Sequence, residues 1–419
     1  MALTSACGCC GLNLHLHKIE AERARHGRVL RYRAHSKTVY QMSSTTVNQG
    51  VAHKIEQEDQ QALLNLAEAY LREFVAPVAS EIDDNPEVLK KALQGMGDRS
   101  LLALRVPKVW GGAQVSEITY RHFQQLVPRY SGALNFLQTQ HQSAAGFFTN
   151  SENEALKQQY LPYMSKGEVL VGIGFSHLRR PGDPIMKAIP VEGGYYLGGK
   201  VPWVTGFGFF QDFIVGAALP DGRAVYGVVP FVETVQETGG TIAFSEPMQM
   251  GAMSSTNTVT ATLTHWFLPQ ECVIFIKPIG AIHENDKKNV LHHGFYSLGC
   301  ARAGLDIVEA AYQAKQLPFI KQAFDALDAE LTHCQSAMMQ ALPPDAQTWE
   351  ERLQLRAWAI NLAQRCASAA VTVSSGAANS RYHAAQRVYR EALVFTVSGQ
   401  TTAVMEATLA QLVVSDRFE

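Results

Sequence analysis

The chain has 419 residues, enough for two or three structural units with well-buried cores. Its 36 Lys and Arg nearly cancel its 38 Asp and Glu, leaving a formal net charge of -2, so no overall field draws it to nucleic acid or to an anionic membrane. No apolar run approaches the roughly 20 residues of a membrane-spanning helix, so membrane insertion is not expected and a small-molecule substrate is the natural partner.

The first 42 residues are rich in Arg and His, carry "CGCCG" at 7–11 and lack apolar periodicity; they read as a disordered leader ahead of an alternative start at Met42. Cys7, Cys9 and Cys10 lack spaced partners for a metal site. An odd, scattered set of seven cysteines points to a reducing, cytoplasmic setting.

From 43 to 170 the apolar residues recur at helical spacing. Leu63, Leu66, Ala67, Tyr70, Leu71 and Phe74 share one expected helix face, and Pro77 need not end that helix. After Gly167 the period changes. In "NTVTATLTHWFLP", Val259, Ala261 and Leu263 alternate with threonines, the mark of a half-buried strand, and 171–285 reads as an antiparallel β-domain. "HENDKK" (283–288) reads as a solvated loop and His292–His293 as a helix start. Residues 286–419 return to helical spacing in long stripes such as Ile320, Phe324, Leu327, Leu331, Cys334 and Met338, which pack as a four-helix bundle. The fold class is therefore α+β, with a helical domain, a β-barrel or sandwich domain and a helical bundle in that order.

Four segments carry a resemblance to the acyl-CoA dehydrogenase superfamily. "REFVAPVASEID" and "VPKVWGGAQVS" are similar to its opening helix and proline-glycine loop, and "YLPYMSKGEVLVGIGFSH" to its entry into the β-domain. "GGYYLGGKVPWVTG" is similar to its strand ending in tryptophan-any-threonine, and "RVYREALVF" to its late arginine-acid signature, which makes Glu391 an ion-pair partner. The resemblance implies a flavin-dependent oxidoreductase, with FAD (FMN as the alternative) held between β-domain and bundle in a homodimer or homotetramer. It implies that Trp203 and Thr205 flank the flavin ring, that Ser176, beside Phe175, contacts it, and that Thr401 helps to hold the cofactor. An aromatic wall with a few hydroxyls suits a planar, mostly apolar ring.

The resemblance also exposes a gap. In such dehydrogenases a glutamate removes the proton α to a thioester, in a glutamate-glycine-threonine triplet that here is Gly399, Gln400 and Thr401. The alternative position, on the first bundle helix near Gly294 and Phe295, has no carboxylate either; Asp306 and Glu309 further along read as surface charges. His177 replaces the acid of a glycine-rich loop, and the arginine-bearing element that reaches a neighbour's FAD is missing after Gln313. "SSGAANSRYHAAQRVYREA" (374–392) is similar to the serine-glycine-alanine helix of the superfamily's flavin-dependent monooxygenases, and His141 lies where that branch has a flavin-facing histidine. Three expectations follow: an oxidoreductase acting on CH–CH bonds without its usual base, a monooxygenase using His141, or a non-catalytic binding protein that keeps the fold.

Overall fold

The computed structural model describes residues 45–343 and 345–413, with side chains from Gln57 onward; the expected leader lies outside the described residues. Helix α1 (Thr45–Tyr70) buries Ala67 and Tyr70, but Leu66 is 46% exposed, and beyond the helix Phe74 is 59% exposed, so the apolar face is narrower than its spacing suggests. The helix does not run through Pro77. It widens into a π turn at Leu71–Val75 and tightens into a 3₁₀ turn at Ala76–Val78, as expected where proline removes a donor and crowds the preceding turn. Helix α2 (Pro86–Gly97) starts with proline at its first position and the Asn85 side chain accepting from the Glu87 amide. Ser131 separates α3 (Glu117–Tyr130) from α4 (Gly132–Thr149): its N–H donates to Val127, while its hydroxyl accepts from Leu134. Asn153 caps α5 (Glu154–Met164) in the same way.

The β-domain is one nine-stranded sheet comprising β1 (Val171–Gly174), β2 (Met186–Val191), β3 (Gly194–Val204), β4 (Asp212–Ala218), β5 (Ala224–Pro230), β6 (Thr234–Val235), β7 (Thr241–Phe244), β8 (Val259–Pro269) and β9 (Val273–Lys277). The strand order is 6-7-8-3-2-4-5-9, with β1 paired to β4. The sheet is mixed, which corrects the antiparallel expectation: β1 runs parallel to β4, as does β2 at Lys187 opposite Ala218. The alternation expected in β8 is present, with Val259, Ala261 and Leu263 all buried.

"HENDKK" is helical, not a loop: it closes α6 (Ala281–Lys288). The bundle follows as α7 (Gly294–Lys315), α8 (Pro318–Gln340), α9 (Trp349–Ser374) and α10 (Ala384–Val397), with α11 (Thr402–Leu412) beyond them. Helices α7 and α9 meet closely at Gly304, where a Cβ would come within 2.7 Å of the Cys366 backbone. The expected serine-glycine-alanine helix is broken. Residue Ser375 has φ +55, Ser375–Asn379 is a 3₁₀ turn, and α10 begins only at Ala384.

Ion pairs and hydrogen bonds, several of them buried, join the three units. Glu391 pairs with Arg387 at 2.8 Å and accepts from the Gly132 amide at the head of α4. The neighbouring Arg390 instead reaches Asp83 at 2.6 Å, and Asp83 also accepts from the Met253 amide at 2.7 Å. Asp306 binds Arg129 of α3 at 2.7 and 3.0 Å, so it is an inter-helix anchor and more than a surface charge.

Candidate active site

A cavity of about 1920 Å³ opens where the helical unit, the sheet and the bundle meet. That is roughly twice the upper end of the usual range for a single small ligand, leaving room for a cofactor and a substrate together. All five residues expected at the flavin line it. Phe175 follows β1 and packs against Phe147 with ring centroids 5.0 Å apart, and edge-on to Tyr226 at 5.5 Å. Ser176 beside it is exposed. Trp203, near the end of β3, keeps 45% of its surface free, an unusual exposure for an indole unless a ligand covers it. Thr205 is buried, with its hydroxyl 3.0 Å from that of Thr258. Thr401 stands opposite and caps α11, accepting from the Val404 amide. This set of an indole, a phenyl ring and neutral hydroxyls fits a planar ring.

Gly399, where the resemblance leads one to expect a carboxylate, also lines the cavity. Gly399 has φ +59, a conformation that side chains disfavour, and a Cβ there would meet the His293 imidazole at 2.7 to 2.9 Å. The ring of His293 therefore fills the space into which a residue at 399 would grow. It sits just before α7, with Nδ1 2.8 Å from the Ser398 hydroxyl. Among the described residues Nε2 has no hydrogen-bond partner. Burial and then the nearby charges of Arg356, Arg179 and Arg121 hold its pKa well below the ordinary histidine value, so the ring is neutral near pH 7.

His141 is not placed to act on a ligand. It is fully buried, Nε2–H donates to the Met164 carbonyl at 3.0 Å and Nδ1 accepts from the Val171 amide at 3.1 Å, so both ring nitrogens are used in tying α4 to the start of β1. Burial lowers its pKa to about 4. His177 is likewise buried, Nε2 bonded to the Gly216 carbonyl, with its pKa lowered to about 4 mainly by burial.

Residues 57–168 match the acyl-CoA dehydrogenase N-terminal domain. The 3-(aryl)acrylate reductase of Clostridium sporogenes is 21% identical over 84% of this chain and 98% of its own. The mitochondrial isovaleryl-CoA dehydrogenase of Solanum tuberosum is 24% identical over 73% and 72%. The crystal structure of glutaryl-CoA dehydrogenase from Mycobacterium smegmatis superposes with a TM-score of 0.72 at 15% identity, covering 86% of this chain and 96% of that one. Residues 57–168 thus match an acyl-CoA dehydrogenase N-terminal domain, and the chain as a whole has the acyl-CoA dehydrogenase-like fold.

The cavity also has charged residues in its lining. Arg121 is bound to Glu117 and Gln124, and Gln124 donates to the Tyr296 hydroxyl at 3.0 Å. Arg356 is 3% exposed and donates to the carbonyls of Val290, Ser398 and Gly399. His293 and Arg356 were not singled out as functional in the sequence. The available signal was the pair His292–His293 directly before a bundle helix, on the element to which the superfamily assigns its alternative base.

Proposed function

We propose that the protein is an FAD-dependent oxidoreductase acting at a carbon–carbon bond of a small acyl substrate, with His293 as the proton-transferring group. The observation that carries this reading is the occupation of the missing base's place by the His293 imidazole. Trp203, Phe175, Ser176, Thr205 and Thr401 would hold the flavin, which when bound supplies two-electron chemistry at its ring. Ser398 fixes the imidazole through Nδ1 and leaves Nε2 free to take a proton from, or give one to, the substrate carbon. Burial and then the guanidinium charges around His293 keep the resting ring unprotonated near pH 7, so it accepts a proton in the oxidative direction and returns it in the reverse one. The reverse direction, that of a reductase, is what the Clostridium relative's name describes. The monooxygenase reading loses its named residue, since both nitrogens of His141 are bonded to backbone.

Tyr389, Leu393 and Val397 form an exposed apolar stripe along α10, each more than half exposed, which supports assembly with further copies of the chain. The deciding experiment is the visible spectrum of the purified protein, with the released cofactor identified by chromatography, followed by single-turnover reduction of enoyl substrates by wild type and His293→Gln. Stoichiometric FAD with loss of turnover in the variant is expected; a protein that neither carries nor takes up flavin overturns the reading.

A further inference from the structure

Among the described residues, those lining the cavity include eight Arg and Lys but only two carboxylates, Glu117 and Asp286. Both carboxylates are engaged: Glu117 with Arg121 and Arg105, and Asp286 with Arg179 at 2.7 and 2.8 Å. Arg352 and Arg356 lie one turn apart on α9 and so project from the same face. Both are buried, at 9% and 3% exposure, and among the described residues neither has a carboxylate within ion-pair distance. Their Nη atoms donate to backbone carbonyls, Arg352 to Lys288 at 3.3 Å and Arg356 to Val290, Ser398 and Gly399. Both Nε–H groups are buried, and among the described residues neither has a partner. Carbonyl oxygens satisfy donors but do not neutralise charge; Asp286 acts on Arg356 only from beyond ion-pair distance and is itself bonded to Arg179, and a buried cation short of counter-charge is costly. Two such cations facing one cavity, each with an orphaned donor, call for an anion from outside the chain.

We infer that Arg352 and Arg356, beside His293, bind the carboxylate of a small free acid, so that the substrate enters as an acid and not as a thioester. This rests on the oxidoreductase reading for its chemistry but not for the binding itself. Location favours a carboxylate over a cofactor phosphate. Arg356 holds the carbonyl of Gly399, the residue against which His293 packs, so the anion site adjoins the proton-transferring nitrogen. In a carboxylic acid the charged group is bonded directly to the α carbon, and anchoring it here brings that carbon to His293. Nucleotide phosphates lie many bonds away from any reacting atom.

The test is calorimetric titration of the full-length protein with 3-phenylacrylate and hexanoate, with neutral 3-phenylacrylamide and hexanamide, and with inorganic pyrophosphate. Acids binding at least tenfold more tightly than their amides, and at least tenfold more weakly to Arg352→Gln, are expected. Arg352 is the residue to change because it makes one long backbone contact, whereas Arg356 holds three carbonyls; an unchanged melting temperature of the variant confirms its fold. Equal binding of acid and amide, no binding of either acid, or indifference to Arg352→Gln overturns the proposal. So does pyrophosphate binding that depends on Arg352 when acid binding does not, which would assign the cations to a cofactor phosphate. Flavin content read from the same samples separates the two readings: acid binding without flavin removes only the oxidoreductase, and flavin without acid binding removes only the carboxylate site.

Discussion

The His293 imidazole stands 2.7 Å from where a Cβ on Gly399 would lie, so the two residues occupy one space between them. Reinstating a carboxylate by Gly399→Glu therefore forces a side chain into positive φ and into the ring. About 1–2 kcal/mol for the backbone and 1–3 kcal/mol for overpacking are expected. The variant should melt several degrees lower and gain no activity, whereas Gly399→Glu with His293→Gly should regain stability relative to the single change. Calorimetric melting of the three proteins checks this.

Loss of His293 should cost turnover and not binding. His293→Gln is expected to reduce the rate of the chemical step by about 10²- to 10⁴-fold, the usual contribution of a positioned acid or base, with flavin content unchanged. Ser398→Ala, which frees Nδ1, should fall between the variant and wild type. Single-turnover rates at saturating substrate distinguish the two.

His141 is predicted to matter for stability alone. Its pKa is lowered to about 4, so its folded form stays neutral where the unfolded chain, with a pKa near 6.5, already takes up a proton. The unfolded state therefore binds more protons between these values. The stability that neutral His141 confers is full above about pH 6.5 and is lost as pH falls through about 4. His177 adds a second contribution of the same sign and window. His141→Phe should destabilise at neutral pH, because the Met164 carbonyl and Val171 amide lose their partner, yet flatten the acid limb of the stability curve. Denaturant midpoints from pH 4 to pH 8 measure both effects.

Trp203→Ala should lower flavin retention more than Thr205→Val, since the indole offers a large free face while the Thr205 hydroxyl is already 3.0 Å from that of Thr258. The absorbance ratio of bound flavin to protein after desalting gives the order.

The sequence made the fold legible because helical and strand periods are local and repeat over many residues: Val259, Ala261 and Leu263 are buried, as are Ile320, Leu331, Cys334 and Met338 of the helical stripe, with Phe324 and Leu327 partly buried against the same core. It was less informative where one residue decides. Nothing in the spacing around Pro77 distinguishes a helix that kinks from one that passes through π and 3₁₀ turns, and the short β1–β4 pairing depends on contacts 41 residues apart, Val171 to Asp212. The residues expected at the flavin were chosen by the register of a resemblance, and all five line the cavity. His141 was misassigned for the same reason: register gives a position along α4 but not the direction in which a ring points, and here backbone partners on α5 and β1 claim both nitrogens. The space left by Gly399 was visible in sequence, but what fills it comes from a residue 106 positions earlier, and only tertiary packing brings the two together.

Asp83 has its own consequence. One carboxylate, fully buried, receives the guanidinium of Arg390 from the bundle and the amide of Met253 from the β-domain while belonging to the first helical unit. The three walls of the cavity are thus fastened at a point outside it. A chain built this way can exchange residues that line the cavity without loosening the joint that keeps the walls in register. Chemistry and closure are inherited separately, and a new substrate can be accommodated on one side of that joint while the other stays as it was.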